Sequence, residues 1–192
     1  MKHFYLIISV VVILLIVSVC VKCTHVDRDS AYYIDKMVEA TVYGKYRAGV
    51  RASKRYNSMT DSYKIDFDDI YWLSRLVYAE VGADWMPDEL QHQVASVVLN
   101  RVAHDYYADT VKDVIFEKIN GVYQYQPARS GSIKRNPNER AVRNALYVLI
   151  NGSVFDDSVL TQGPYIYGDI HAVYRDPILG SVIYFCEIST LQ

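Results

Sequence analysis

The stretch LSRLVYAEVGADW, Leu73 to Trp85, sets an acid where a helix should present only apolar side chains. Laid on a helix, Ile70, Leu73, Leu76 and Val77 form one stripe, and Glu80 follows Val77 by three residues on the same face. A carboxylate turned toward a core costs several kcal/mol if it stays charged and unpaired. Two readings follow. Either the carboxylate at this helix end finds a partner, with Arg75 and Arg101 available, or burial raises its pKa so that it holds a proton near neutrality and can donate it. Gly82 and the polar turn after it would open the cleft that such a donor needs.

Working outward, DFDDIYWLSRLVYAEV opens with Asp66, Asp68 and Asp69, suited to an N-cap and first turn, and predicts a helix running to Gly82. MPDELQHQVASVVLNRVAHD predicts a second helix, with Pro87 near its first position and Leu90, Val94, Val97, Val98 and Val102 at helical spacing. Asp109–Ile119 reads as a shorter helix, followed by a Tyr/Gln-rich loop, GVYQYQPARSGSIKRNPN. NERAVRNALYVLING predicts a helix capped by Asn138 and closed by Asn151-Gly152. The period then changes: SVL, YIYGDIHAVY and SVIYFC read as two or three short strands between Gly, Pro and Asp turns. The expected class is α+β, mainly helical, with a short C-terminal β part.

The chain before this domain has a different texture. Residues 4–21 of MKHFYLIISVVVILLIVSVCVK carry no charge, a run long enough to span a bilayer as a helix. Residues 1–23 are therefore expected to be a transmembrane anchor or a signal peptide. Ser18-Val19-Cys20-Val21 offers no small-residue cleavage site, which favours a retained anchor. Residues 24–61 are polar, with a helix near Ala31–Tyr46, and read as a stalk or linker, packing against the domain being the alternative. Residues 62–192 form the expected globular domain, placed outside the cytoplasm, or secreted if the leader is cleaved.

Lys+Arg 20 against Asp+Glu 22, with no basic tract, argues against a nucleic-acid partner. Eighteen tyrosines against five phenylalanines and two tryptophans suit half-buried packing, and some of them a polar groove. Cys20-x-x-Cys23 sits at the membrane edge without a second pair, and Cys186 lies in an apolar run as a core residue. Glu89-x-x-His92 is the nearest approach to a metal motif. No metal site and no cofactor are expected.

LSRLVYAEVGADWMPDELQHQVASVVLNRV resembles the opening of the SleB-type cell wall hydrolases, the spore cortex-lytic enzyme family with its clostridial and phage relatives. The resemblance continues through YADTVKDVIFEK, NPNERAVRNALYVLINGSVFDDSVL and TQGPYIYG to ILGSVIYFC, and spans about Leu73–Cys186. It implies a lysozyme-like fold and a lytic transglycosylase that cuts peptidoglycan glycan strands. The family's catalytic glutamate maps onto Glu80, and the glutamine of its substrate loop maps onto Gln124, with Gln126 the alternative. Two departures stand out. Val122-Tyr123 replaces the family's Pro-Gly before that glutamine, and Ala128-Arg129-Ser130 stands where a tryptophan or cysteine is usual.

Around Glu80 the nearest acids in sequence, Asp84, Asp88 and Glu89, lie in an exposed turn and first helical turn, where capping accounts for them. A lone acid suits substrate-assisted chemistry, which dispenses with a second carboxylate. Tyr78, Asn100 and Tyr184 are further substrate-binding candidates, each with a packing or loop-bonding alternative. The competing functions are a peptidoglycan-binding module with impaired turnover and a hydrolytic muramidase.

Overall fold

The computed structural model describes residues 28–60 and 63–188. The expected span at 1–23 lies outside the described residues; among these, no helix is long and apolar enough to cross a membrane. The architecture is mostly helical with a small antiparallel β part.

The central helix, α3 (Phe67–Val81), starts where the acids predict. Asp66 is its N-cap and accepts from the Asp68 backbone N–H at 3.0 Å. Ile70, Leu73, Leu76 and Val77 are wholly buried. At about 1.5–3 kcal/mol for each large apolar side chain, this stripe is a main source of stability. Gly82 ends the helix, donating to the Tyr78 carbonyl at 3.1 Å. A Cβ at Gly82 would stand 2.3 Å from that carbonyl oxygen, so only glycine closes this end.

Around α3 pack α4 (Asp88–Val102), α5 (Val111–Phe116) and α7 (Glu139–Asn151). Pro87 caps α4 rather than opening it, and Asn138 caps α7, accepting from Ala141 N–H at 2.9 Å. The helix expected over Asp109–Ile119 is shorter. Thr110 caps α5, accepting from Asp113 N–H, and after Phe116 the chain turns into a hairpin. There β1 (Lys118–Ile119) pairs with β2 (Val122–Tyr123) across Asn120-Gly121, with φ of 53° and 79°. Asn-Gly tolerates two successive positive φ values, which is what a tight hairpin turn demands. The following segment, read as loop, forms a helical turn, α6 (Gln126–Ser130), ended by Gly131 in the left-handed region.

Three tail strands form: β3 (Val159–Gly163), β4 (Asp169–Arg175) and β5 (Val182–Glu187), antiparallel in the order β3-β5-β4. Tyr165–Gly168, expected to begin a strand, make the turn between β3 and β4. Register breaks at Leu160 and His171 bend the sheet. Cys186 is buried, as its apolar surroundings predict.

Residues read as a stalk are helical, α1 (28–42) and α2 (Tyr46–Asn57), and their inner faces join the domain core. Met37, Val38, Ala52 and Tyr56 belong to the same buried cluster as α3. Ser53 Oγ and Asn57 Nδ2 donate to the Ile65 carbonyl at 2.8 and 2.9 Å, tying α2 to the entry of α3. The segment looks polar because its apolar positions are few and spaced at helical intervals.

Gly49 on α2 tests this packing. A Cβ there would stand 1.9 Å from the buried Phe67 ring. In a detached stalk, Gly49→Ala should stabilise a helix by up to about 1 kcal/mol. Against Phe67 it should instead destabilise by about 1–3 kcal/mol, read as a lower denaturant midpoint.

Candidate active site

Glu80 occupies the last turn of α3, half-buried beside Val81. Among the described residues it has neither a hydrogen bond nor an ion pair. The partners that would make it structural are committed elsewhere. Arg75 donates to the Tyr71 carbonyl at 3.0 Å and Asn136 Oδ1 at 2.8 Å, with its guanidinium 3.5 Å from the Tyr71 ring centroid. Arg101 donates through Nε to the Leu160 carbonyl at 2.7 Å and lies over the Tyr107 and Tyr125 rings. Burial alone pushes the Glu80 carboxyl up to about 7. The pairing alternative therefore fails, and an acid able to hold a proton near neutrality remains.

Asp69 is a useful contrast. Burial and its neighbours Asp66 and Asp68 raise it to about 6. It lies at the other end of α3, roughly 16 Å along the axis at 1.5 Å per residue, and lines none of the cavities described here. A raised pKa becomes a site only where a cleft meets it.

Glu80 meets one. A cavity of about 470 Å³ is walled by Glu80, Val81 and Val94 on one side and by Gln124, Tyr125 and Gln126 on another. The sheet closes it with Gln162, Gly163 and Pro164 from β3 and its turn, and Ser181, Val182 and Ile183 at β5. Its size falls within the usual range of ligand clefts. Glu80 is the one acid among these lining residues.

Local bonding holds the turn after Glu80 in place. Gln91 donates to the Val81 carbonyl at 3.3 Å, and Asn144 holds Gln91 at 2.9 Å. Arg140 on α7 reaches the Met86 and Asp84 carbonyls and the Asp88 carboxylate. Trp85 Nε1 lies 3.3 Å from both oxygens of buried Asp176. Asp176 also accepts from the Leu179 and Ile178 N–H groups, bonds that hold its carboxyl below the usual range. The β4–β5 turn is thus tied to the α3–α4 turn.

The sequence candidates divide. Gln124 and Gln126 both line the Glu80 cavity, with Gln124 donating to the Val122 carbonyl at 3.2 Å. Tyr78 does not: two residues before Glu80, it lies roughly 200° away around the helix and lines a separate cavity of about 230 Å³ with Gly82 and Arg135. Asn100 is buried and donates to the Asp156 and Val159 carbonyls at 2.6 and 3.1 Å, so it pins the entry of β3. Tyr184 pairs with Gly163 and Val173, and the groove takes the preceding residues of β5 instead. His92, of the Glu89-x-x-His92 pair, stacks on Tyr147 and bonds Asn144 at 3.1 Å.

Sequence reasoning missed Tyr125, Gln162 and the β5 wall. Gln162 Oε1 is buried without a hydrogen-bond partner among the described residues. Its position in TQGP offers no spacing that links it to Glu80. Outside the groove, Asp156, His171 and Glu187 present ligand atoms within 4.8 Å of one another, a set able to hold a divalent ion. They are largely exposed, and His171 already bonds Glu187 at 2.7 Å.

A cleft whose one lining acid is half-buried, unpaired and raised to about 7 has the features that a general acid needs. Residues 86–162 match a family described as Cell Wall Hydrolase, which bears out the resemblance read from the sequence. The match begins just after Glu80 and spans less than half of the 192-residue chain. No curated protein matches. Two solved structures are similar. One is the catalytic domain of germination-specific lytic transglycosylase SleB from Bacillus anthracis, at 23% identity, TM-score 0.48, covering 64% of this chain and 97% of that one. The other is the catalytic domain of the Bacillus cereus SleB protein, at 23% identity, TM-score 0.45, covering 66% and 94%.

The raised Glu80 pKa carries a stability signature. Between pH 4.5 and 7 the folded state binds more protons at this site than the unfolded chain, so its contribution falls as pH rises through that window. Above pH 7 the full cost, on the order of 3 kcal/mol, is present. Glu80→Gln should therefore be more stable than the parent at pH 8, with the difference shrinking toward zero at pH 4, measured by urea unfolding of both chains.

Proposed function

We propose that this chain is a peptidoglycan-cleaving glycosidase of lysozyme-like organisation and a lytic transglycosylase, with Glu80 as its single acid and base. The observation that carries the reading is the Glu80 carboxyl, raised by burial to about 7 in the lining of an open groove whose other lining residues bring no second carboxylate. Protonated Glu80 donates to the glycosidic oxygen between the N-acetylmuramic and N-acetylglucosamine units as the C1–O bond breaks. The carboxylate formed then accepts the proton of the muramic 6-hydroxyl as that oxygen bonds C1. The product is a 1,6-anhydro sugar, no water is consumed, and Glu80 ends protonated again. Gln124, Gln126 and Gln162 supply the amide donors and acceptors that neutral N-acetyl sugars call for.

The apolar run at residues 4–21 supports a membrane anchor holding the domain outside the cytoplasm, where peptidoglycan lies.

Glu80→Gln keeps shape and removes the proton donor. It should cut release of soluble fragments from purified peptidoglycan by about 10²–10⁴-fold, the usual worth of a general acid. The parent's rate should fall as pH rises above about 7, because the protonated fraction of Glu80 falls there. Mass spectrometry of the products separates the outcomes. Anhydro ends support the transglycosylase, ends heavier by one water indicate a muramidase, and binding without soluble product indicates a binding module.

A further inference from the structure

A second cavity, of about 520 Å³, continues from the first and shares Gln124, Gln162, Gly163 and Pro164 with it. Its walls differ in chemistry. Tyr106, Tyr107, Tyr123, Tyr165 and Tyr167 line it, together with Arg101. Arg101 is buried, only 5% exposed, and its Nη1 has no hydrogen-bond partner among the described residues. A buried guanidinium that bonds through Nε alone is costly unless an anion completes it. Lys118 stands at the same arm, its Nζ 4.4 Å from the Tyr123 ring centroid. Two acids, Glu80 and Glu117, act on the Tyr125 hydroxyl, and Glu117 Oε2 is also buried without a hydrogen-bond partner among the described residues. Its charge acts on the same Tyr107 and Tyr125 hydroxyls as that of Arg101, yet no Arg101–Glu117 ion pair within 4.0 Å forms among the described residues. Arg101 is the one charged side chain among the residues lining this cavity.

We propose that this arm is a subsite for the carboxylate-bearing peptide stem of the substrate, with Arg101 and Lys118 as its countercharges. The inference rests on reading the Glu80 groove as a peptidoglycan site and adds what the second arm selects. Neutral sugars need amides and aromatic faces, which the first arm and the tyrosines supply; they leave a buried guanidinium unanswered. A carboxylate on a guanidinium makes the strong, charge-assisted bond that Arg101 lacks. Tyrosine faces and Pro164 suit the apolar parts of a short peptide.

The test is calorimetric titration of the full-length Glu80→Gln chain, in which bound substrate persists. The two probes are a soluble glycan fragment carrying its peptide and the same fragment with the peptide removed. The peptide-bearing fragment should bind at least about tenfold tighter. Lys118→Glu, an exposed change, should shrink that advantage to about threefold or less while leaving affinity for the peptide-free fragment unchanged. Arg101→Gln should do the same where circular dichroism shows it folded. Equal affinities in the Glu80→Gln chain overturn the proposal, as does no measurable binding of the peptide-bearing fragment, or an advantage that survives Lys118→Glu. Turnover of peptide-stripped glycan by the unmodified chain reads the catalytic proposal separately. Release without peptide preference removes the subsite alone; preference in binding without release removes the catalytic reading alone.

Discussion

The desolvation of one carboxyl at the end of α3 is the constraint around which the rest of the molecule is arranged. The stripe that buries Ile70, Leu73, Leu76 and Val77 leads directly to Glu80, so the same packing that stabilises α3 withdraws the acid from water. Among the described residues no cation offsets the loss, because Arg75 and Arg101 are held by carbonyls and rings on either side. Relieving that penalty with a salt bridge would be simple for a protein that needed only stability. Here the penalty persists, which makes an unpaired acid beside a cleft a candidate for proton transfer.

Holding such an acid in place requires a rigid turn after it, and much of the polar bonding in this half of the domain serves that end. Arg140, Asn144 and Gln91 form a chain of bonds from α7 through α4 to the Val81 carbonyl. Trp85 and Asp176 then lock the β4–β5 turn to the same corner. The opposite wall depends on Asn100, which fixes where β3 begins and so where Gln162 falls. The groove is a gap between two well-braced walls.

The helices and the acid were legible because their signals are local. Asp66, Asn138, Gly152 and the spacing of apolar residues act within a turn or two, and α3, α4 and α7 appear within a residue or so of where these predict. Glu80 was legible because one carboxylate broke a four-residue pattern. The hairpin at Asn120-Gly121 was equally local, yet a Tyr/Gln-rich loop reading masked it. What sequence could not convey was which distant residues face Glu80. Gln162 and Val182 reach it only through strand order and two register breaks, neither encoded in spacing. Tyr78 and Tyr184 misled because nearness along a chain says little about which face of a helix or strand a cleft will use. The tyrosine-rich α1–α2 segment misled because a thin apolar face looks like a solvated one until Phe67 packs on it.

The central claim is that burial alone keeps Glu80 partly protonated at neutral pH. Carbon-13 NMR titration of the Glu80 side-chain carboxyl, assigned by its loss in Glu80→Gln, tests it directly. A midpoint near 7 that moves little with salt is the predicted result, since desolvation without a charged neighbour offers nothing for ions to screen. A midpoint near the ordinary 4.5 would mean that water or a cation reaches the carboxylate, and would contradict the account.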